Sequence, residues 1–498
     1  MNTAILFDTL SIQNYVFGSN KLKENLGASF LVENVYKVLI TKEKEQKLKV
    51  GYIGGGNALV FIDSEGSAKE LVKEFTTTLL YESPGLSVSV AIDPDFSRAD
   101  PFSDKLGKLF TDLAVNKGRF FPVDSIPTHG ITAVCPHTGY SVEGMIRYEN
   151  TTTLLSSMAL SKLSASKEAN KEVETLSELA GIAQEFSFTD QLDRLGQRKN
   201  EDSHIAVVHI DGNGFGEEFR KLQDLDSIKL LSSAVKNAVQ ESFGYILKLI
   251  AIHSKELSES IEFVKDTDGR RVLPIRPIVL GGDDITFVCH GKLGIWLAEH
   301  FMYKFQEYRL PDGIPYSSCA GIAIVKTKYP FYRAYQLAEE LCTNAKKKRK
   351  DSGNKRGEGN WIDFHLAYGG LGNSLEEIRI LQYQNSNNKP IYSRPFSLAP
   401  TGMTNSIETL KKQAVLLRRS LPNTKIKDLR EILTHDQASK EVFIEHLIHQ
   451  HEDFRLKFCE HRSATSKLEN YPFFDMIELL ELYPTNLLNV IQDATTEL

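Results

Sequence analysis

The sequence predicts an α+β protein built from two copies of one strand–helix–hairpin–helix–strand unit and closed by an all-helical tail. Two glycine-broken hairpins, at 49–63 and 274–289, each follow an apolar strand that ends near an aspartate, Asp8 in the first copy and Asp211 in the second. Beyond about 401 no strand pattern survives, and Leu, Ile, Glu and Lys recur at helical spacing instead.

In the first copy, 3–10 (TAILFDTL) reads as a strand and 20–43 as one amphipathic helix, with Leu22, Leu26, Phe30, Leu31, Val35 and Val38 on one face. The hairpin "KVGYIGGGNALVFID" (49–63) follows, then a helix at 67–82 and a strand at 86–92. The second copy repeats this order: strand 204–210, a long helix over 228–256 with Ile228, Leu231, Val235, Val239, Ile246 and Ile250 at helical spacing, and the hairpin 274–289. Helix 291–309, strand 316–325, helix 330–349 and strand 361–368 complete it. Order of elements carries the match, not identity, and "GGGN" (54–57) stands where "GGDD" (281–284) stands. Between the copies, 151–200 is polar and rich in Lys, Glu and Ser, a helical or linker segment. Segments 404–420, 425–460 and 472–495, broken at Pro422 and Pro484, predict a C-terminal helical bundle. The expected divisions are 1–145, 146–200, 201–400 and 401–498.

At 498 residues, 41% hydrophobic and 25% charged, the chain has ample material for several cores. A net charge of −6 gives it no overall electrostatic footprint for nucleic acid, and the longest basic run is "KKKRK" at 346–350. That run reads as a solvated helix end, Lys346 excepted. The five cysteines (135, 289, 319, 342, 459) form no CxxC pair, which speaks against a disulfide framework or a complete zinc ribbon and for a reducing cytoplasm. No apolar window reaches the roughly 18 residues of a membrane span, and the N-terminus lacks the basic start of a secretory signal.

The order strand, long helix, hairpin places Asp211 on a strand next to the tip that carries Asp283 and Asp284. Carboxylates within about 4 Å repel by roughly 4 kcal/mol per pair at an effective dielectric near 20, so their convergence calls for cations. Oxygen-only ligands suit magnesium or manganese, and magnesium takes its remaining ligands from phosphate oxygens. Gly212, Gly214 and Gly216 bare the backbone after Asp211, with Asn213 and Phe215 between them, and Gly281 and Gly282 do so at the hairpin tip. Two metals would clamp an in-line displacement at a nucleoside triphosphate, and Lys346, on a helix expected beside the hairpin, is placed to meet the triphosphate.

These residues resemble the palm (GGDD) domain of the large subunit of type III CRISPR effector complexes, a cyclic oligoadenylate synthetase family related to diguanylate and adenylyl cyclases. The likeness spans most of 1–400. "IQNYVFGSNKLKENLGAS" (12–29) and "GGGNALVF" (54–61) are similar to the non-catalytic palm, and "HIDGNGFG" (209–216), "LGGDDITFVC" (280–289) and "SSCAGIAIVKTKYPFYRAYQLAEELCTNAK" (317–346) to the catalytic one. The resemblance implies two ferredoxin-like palms packed face to face, with two magnesium or manganese ions ligated by Asp211 and Asp283 and assisted by Asp284. It implies ATP as monomer, joined 3′ to 5′ and closed into a ring. Lys346 and Ser318 would then contact the nucleotide, and the bare tip Gly55, Gly56 and Asn57 would receive a second one. Guide or target RNA and other effector subunits are the implied partners; the oligomeric state is left open.

The chain starts directly at the first palm, so no N-terminal HD nuclease is expected, and His435-Asp436 reads as a solvated turn. "CPHTG" (135–139) retains Cys135 and His137 without a second pair and reads as packing rather than a zinc site. A guanine-reading cyclase of the diguanylate type and a scaffold with little catalysis of its own remain as alternatives. A template-directed polymerase is disfavoured because no basic channel is visible.

Overall fold

The computed structural model describes residues 3–96, 102–119, 131–148, 151–199, 203–222, 224–353, 359–367, 374–398, 405–458 and 471–488. The first unit runs β1 (Thr3–Leu10), α1 (Ile12–Phe17), α2 (Leu22–Glu33), α3 (Lys37–Lys44), β2 (Lys49–Gly54), β3 (Asn57–Ile62), α4 (Glu65–Glu82), β4 (Ser87–Asp93) and α5 (Phe102–Arg119). A connecting segment holds β5 (Gly144–Tyr148), β6 (Thr151–Leu155), α6 (Ser157–Leu179) and β7 (Phe186–Ser187). The second unit contains β8 (His204–Gly212), α7 (Phe215–Lys221), α8 (Leu225–Ile252), α9 (Ser254–Leu257), β9 (Arg271–Val272), β10 (Ile275–Gly281), β11 (Asp284–His290) and α10 (Gly294–Phe305). It continues with β12 (Ser318–Lys326), α11 (Phe331–Asp351), β13 (Trp361–Leu366), α12 (Leu375–Gln382) and β14 (Phe396–Ser397). The tail is α13 (Ile407–Ser420), α14 (Asn423–Ile432), α15 (Gln437–Gln450), α16 (Glu452–Phe458) and α17 (Phe473–Leu482).

The first sheet has the order β2-β3-β1-β4, all antiparallel, and the second repeats it as β10-β11-β8-β12 before adding β13, parallel to β12, and β14. This split strand–helix–strand order is the ferredoxin-like arrangement predicted for each palm. Helices cover both faces of each sheet, which is why the strands read as continuous apolar runs rather than as alternations. In the first unit Ile5, Phe7 and Val60 pack on α3 and α4, while Ala4, Leu6 and Leu59 pack on α5. In the second, Ala206, Val208 and Ile210 face α8 and α10, and Ile205 and Val207 face α11.

The palms meet through helices, not sheet on sheet. α2 of the first lies against β10 of the second, and α8 of the second lies against β2 of the first. Lys236 pairs with Glu33 at 3.0 Å and Lys229 reaches the Val50 carbonyl at 3.3 Å across this seam. Tyr15, Val16, Phe17, Leu22 and Leu26 share one core with Val288, Ala323 and Tyr335, so the first unit completes the interior of the second. The connecting helix α6 crosses α2 at Gly27, where a Cβ would stand 1.7 Å from the Lys162 carbonyl oxygen. Gly27→Ala is therefore expected to force the helices apart and cost about 1–3 kcal/mol by overpacking, read as a lowered thermal midpoint.

The structure departs from expectation in several places. The single helix over 20–43 is two, because Asn34 donates to the Phe30 carbonyl at 3.0 Å and ends α2, after which Tyr36 turns inward to donate to the Gly56 carbonyl at 2.9 Å. Helices α5, α7 and α12 were not foreseen. Helix α11 packs across β8, β12 and β13 rather than beside the hairpin. The 425–460 segment is three helices, and Asp436 of the "HD" pair caps α15 by accepting from the Ser439 N–H at 2.9 Å. Part of the helix expected over 472–495 and of the strand over 361–368 lies outside the described residues. Cys135 is buried, and His137 hydrogen-bonds the buried Glu24 of α2, a packed loop as the sequence suggested. Among the described residues no helix is long and apolar enough to cross a membrane.

Candidate active site

Register places the acids. Asp211 on β8 stands directly opposite Asp284 on β11, and directly opposed residues of an antiparallel pair project to the same face. That face is the one covered by α11. Gly281 closes the hairpin opposite Asp284, Gly282 takes φ +57°, and Asp283 occupies the remaining tip position. The Gly212 N–H donates to the Asp283 carbonyl at 2.9 Å, and a Cβ on Gly212 would lie 2.7 Å from that of Asp283, so only glycine lets the tip fold over the end of β8.

Helix α11 brings the cation. Gly321 on β12 lacks the Cβ that would strike the Ala338 carbonyl oxygen at 2.0 Å, so the helix presses onto the sheet and Lys346 pairs with Asp211. Cys342, one turn earlier, donates from Sγ to the Cys319 carbonyl at 3.2 Å. Burial lowers the basicity of Lys346, but the Asp211 charge outweighs it and holds the ammonium above its ordinary pKa. Burial and the charge of Asp211 push the Asp283 carboxyl up to about 6 and that of Asp284 to about 7. Burial also keeps His209 neutral by lowering its pKa; its Nδ1 lies 3.1 Å from Thr286 Oγ1 and 3.4 Å from Asp284 Oδ1.

The donor set fits a hard divalent cation that is completed by its substrate: Asp211 and Asp284 offer carboxylate oxygens on one face, and Asp284 Oδ1 has no hydrogen-bond partner. Among the described residues no group of three or more His, Cys, Asp or Glu side chains forms a metal cage. One or two carboxylates with phosphate oxygens is how magnesium is usually held.

The other residues named from the sequence divide. Asn213 is buried, donates to Ser317 Oγ at 3.2 Å and to the Gly359 carbonyl at 3.3 Å, and leaves Oδ1 without a partner. Ser318 stands opposite Gly212 on β12, fully buried, with Oγ unpartnered and its N–H donating to Asn360 Oδ1 at 2.8 Å. Gly214 takes φ +79° to start α7, and Gly216 is exposed with open space around it. Phe215, named with this turn as nucleotide-binding, turns its ring into the core, 5.0 Å from Tyr316 and 6.1 Å from Phe305, so its side chain does not face the acids.

The first tip is the same construction without its acids. Asp8 stands opposite Asn57 as Asp211 stands opposite Asp284, so Asn57 occupies the place of Asp284. Gly55 and Gly56 take φ +57° and +77°. Lys117 of α5 pairs with Asp8 as Lys346 pairs with Asp211. Sequence reading missed Lys117, and also Gln13 and Tyr335 beside the second tip and Arg349 farther along α11. Arg349, grouped with the solvated lysines, is 6% exposed, and its Nε and Nη1 have no partner.

Residues 204–354 match the family model of the Cas10/Cmr2 second palm domain. This segment is similar to a Cas10-type palm. Solved structures agree over the whole chain: the apo Csm1–Csm4 cassette aligns with a TM-score of 0.51 at 14% identity, covering 98% of this chain and 70% of that one. The same cassette in complex with cA3 gives 0.51 at 13% identity (98% and 69%), and in complex with cA4 gives 0.50 at 14% (98% and 70%). At these identities the likeness is one of fold. A search of curated proteins finds no match. The segment similar to that palm thus carries the aspartate pair, and the first unit keeps Asp8 but has no acid at its tip.

Proposed function

We propose that this chain is a nucleotidyltransferase that joins ATP 3′ to 5′ into cyclic oligoadenylate, as the large subunit of a type III CRISPR or related defence complex. The observation that carries this reading is the opposed pair Asp211 and Asp284 with Asp283 at the tip and Lys346 alongside, inside a Cas10-type second palm. Two magnesium or manganese ions held by Asp211 and Asp283, with Asp284 assisting, would supply activation of the attacking hydroxyl and neutralisation of the departing pyrophosphate. Lys346, freed from Asp211 once that carboxylate is otherwise engaged, meets the triphosphate. The unpartnered Asn213 Oδ1 and Ser318 Oγ are buried polar atoms that gain by bonding a nucleotide. The first tip, with Gly55, Gly56 and Asn57, seats the second nucleotide without a metal of its own.

The structures matched are of cassettes in which Csm1 is joined to Csm4, which supports a place for this chain among other subunits; guide or target RNA beside it is part of the proposal. Purified chain incubated with manganese and either ATP or GTP, its products resolved by mass spectrometry, tests the reading. Cyclic adenylates from ATP are expected. Products from GTP alone would transfer the site to the diguanylate class, and absence of product from both, with RNA and partner subunits copurifying, would favour the scaffold role.

A further inference from the structure

One side chain of the first palm touches the acids of the second. Gln13, in α1, donates from Nε2 to Asp284 Oδ2 at 3.2 Å and accepts at Oε1 from the Tyr335 hydroxyl. The carboxylate settles which way the amide points. Ionised, Asp284 only accepts, so the NH2 end turns to it and the carbonyl end is left to accept from the Tyr335 hydroxyl. Tyr335 is itself fixed: it is 3% exposed, its ring lies on Phe17 with centroids 3.6 Å apart and planes at 13°, and it meets the edge of His209 at 5.7 Å. Gln13 and Phe17 are four residues apart on α1, so one short helix presents both the amide and the ring that holds its partner.

The same helix is seated against the first tip. The neighbouring Ile12 packs on Gly56, where a Cβ would stand 2.7 Å from its Cδ1, and the Gly56 carbonyl accepts from the Thr9 N–H at 2.8 Å. A continuous set of contacts therefore runs from the acid-free tip through Ile12 and Gln13 to Asp284.

We propose that Gln13 is a positioning residue: it orients Asp284 and makes the second palm's carboxylates depend on how the first tip is seated. This rests on the reading that Asp284 serves nucleotidyl transfer. Asp284 has one oxygen committed to Gln13 and the other free of hydrogen bonds, so the amide decides where the free oxygen stands. An isolated second palm would lack this hold.

The test uses the full chain. Mn2+ affinity is measured by electron paramagnetic resonance in the presence of a non-hydrolysable ATP analogue, and turnover with ATP is measured in parallel, for wild type, Gln13→Leu, Gln13→Glu, Tyr335→Phe and the reference Asp284→Asn. Removal of an outer partner of a ligating carboxylate costs about 10- to 100-fold in metal affinity or activity. Gln13→Leu is expected to lose about tenfold in both Mn2+ affinity and kcat, with KM for ATP within about twofold of wild type and a thermal midpoint lowered modestly by loss of the Tyr335 hydroxyl's acceptor. Gln13→Glu should lose more, because it sets a like charge against Asp284, and Tyr335→Phe should lose less. Gln13→Leu with wild-type affinity and kcat overturns the proposal while the site stands. Wild type that neither binds Mn2+ nor responds to Asp284→Asn overturns the site reading and this inference with it.

Discussion

Replacing Asp283 and Asp284 together by asparagine is expected to abolish product from ATP while leaving the protein folded and, above neutrality, more stable than wild type. The loss of turnover should be at least about 10³-fold, the scale of the several kcal/mol of transition-state charge stabilisation that a divalent ion supplies. The stability gain follows from the sign of the pKa shifts. Both carboxyls stand higher in the folded chain, at about 6 and about 7, than the ordinary aspartate value of 3.8. The folded state therefore binds more protons than the unfolded state between about pH 4 and pH 7. Stability from this source is fully present below about pH 4 and is lost as pH rises through 6 and 7. Thermal midpoints in chelator at pH 5 and pH 8 should fall further for wild type than for the double variant, and magnesium should raise the pH 8 midpoint of wild type alone. Product from the double variant, or identical pH dependence in both proteins, would remove these acids from the site.

What the sequence disclosed about this site was local. Asp211 and the GGDD tip stand out only in combination, since Gly and Asp at a hairpin tip are favoured for conformational reasons alone, and register makes Asp211 and Asp284 partners. Lys346 was read from its place on the helix expected beside the hairpin and from the resemblance, since within "KKKRK" nothing local separates it from its neighbours. Only the spacing of Cys342, Ala345 and Arg349 on α11, visible once Gly321 lets that helix press on β12, turns Arg349 inward. Lys117 was missed although Phe102, Leu106, Leu109 and Leu113 recur at helical spacing, because nothing in the sequence shows that the last turn of that helix comes to lie beside Asp8. Gln13 lies 271 residues from Asp284, and no pattern in a single sequence reports a contact of that separation. The break between α2 and α3 was missed for the opposite reason: the apolar stripe continues through Val35 and Val38, and the turn comes from the tertiary demand on Tyr36. The duplication itself was legible in element order, but its exactness at the tips, Asp8 to Asn57 against Asp211 to Asp284, is a property of the ladders.

Arg394→Met is expected to loosen the helical tail from the second palm without disturbing the aspartate site. The Arg394 guanidinium is fully buried and bonds Asp475 at 2.5 Å, Glu478 at 2.6 Å and the Phe364 carbonyl at 2.8 Å, joining β13 to α17. Asp475 also accepts from the Ser393 N–H, and Glu478 from the Tyr383 hydroxyl at 2.9 Å, with Arg430 3.5 Å away. Methionine fills the volume but leaves the buried Asp475 without a cation and Glu478 with Arg430 alone, a change that costs about 3–5 kcal/mol. Burial already raises the Asp475 pKa against the pull of Arg394, so in the variant protonation becomes the route of relief and the destabilisation should shrink as pH falls toward 5. A second attachment limits the damage: Lys411 of α13 pairs with the buried Glu299 of α10, which also accepts from the Tyr483 hydroxyl at 3.0 Å. Hydrogen exchange should therefore show protection lost first in α17 and in the Phe364 strand, with α13 following and β8, β11 and β12 unchanged. Uniform loss across both sheets would mean that tail and palm unfold as one unit, and no loss would mean that apolar packing of Phe473, Met476 and Leu479 holds the tail without the ion pairs.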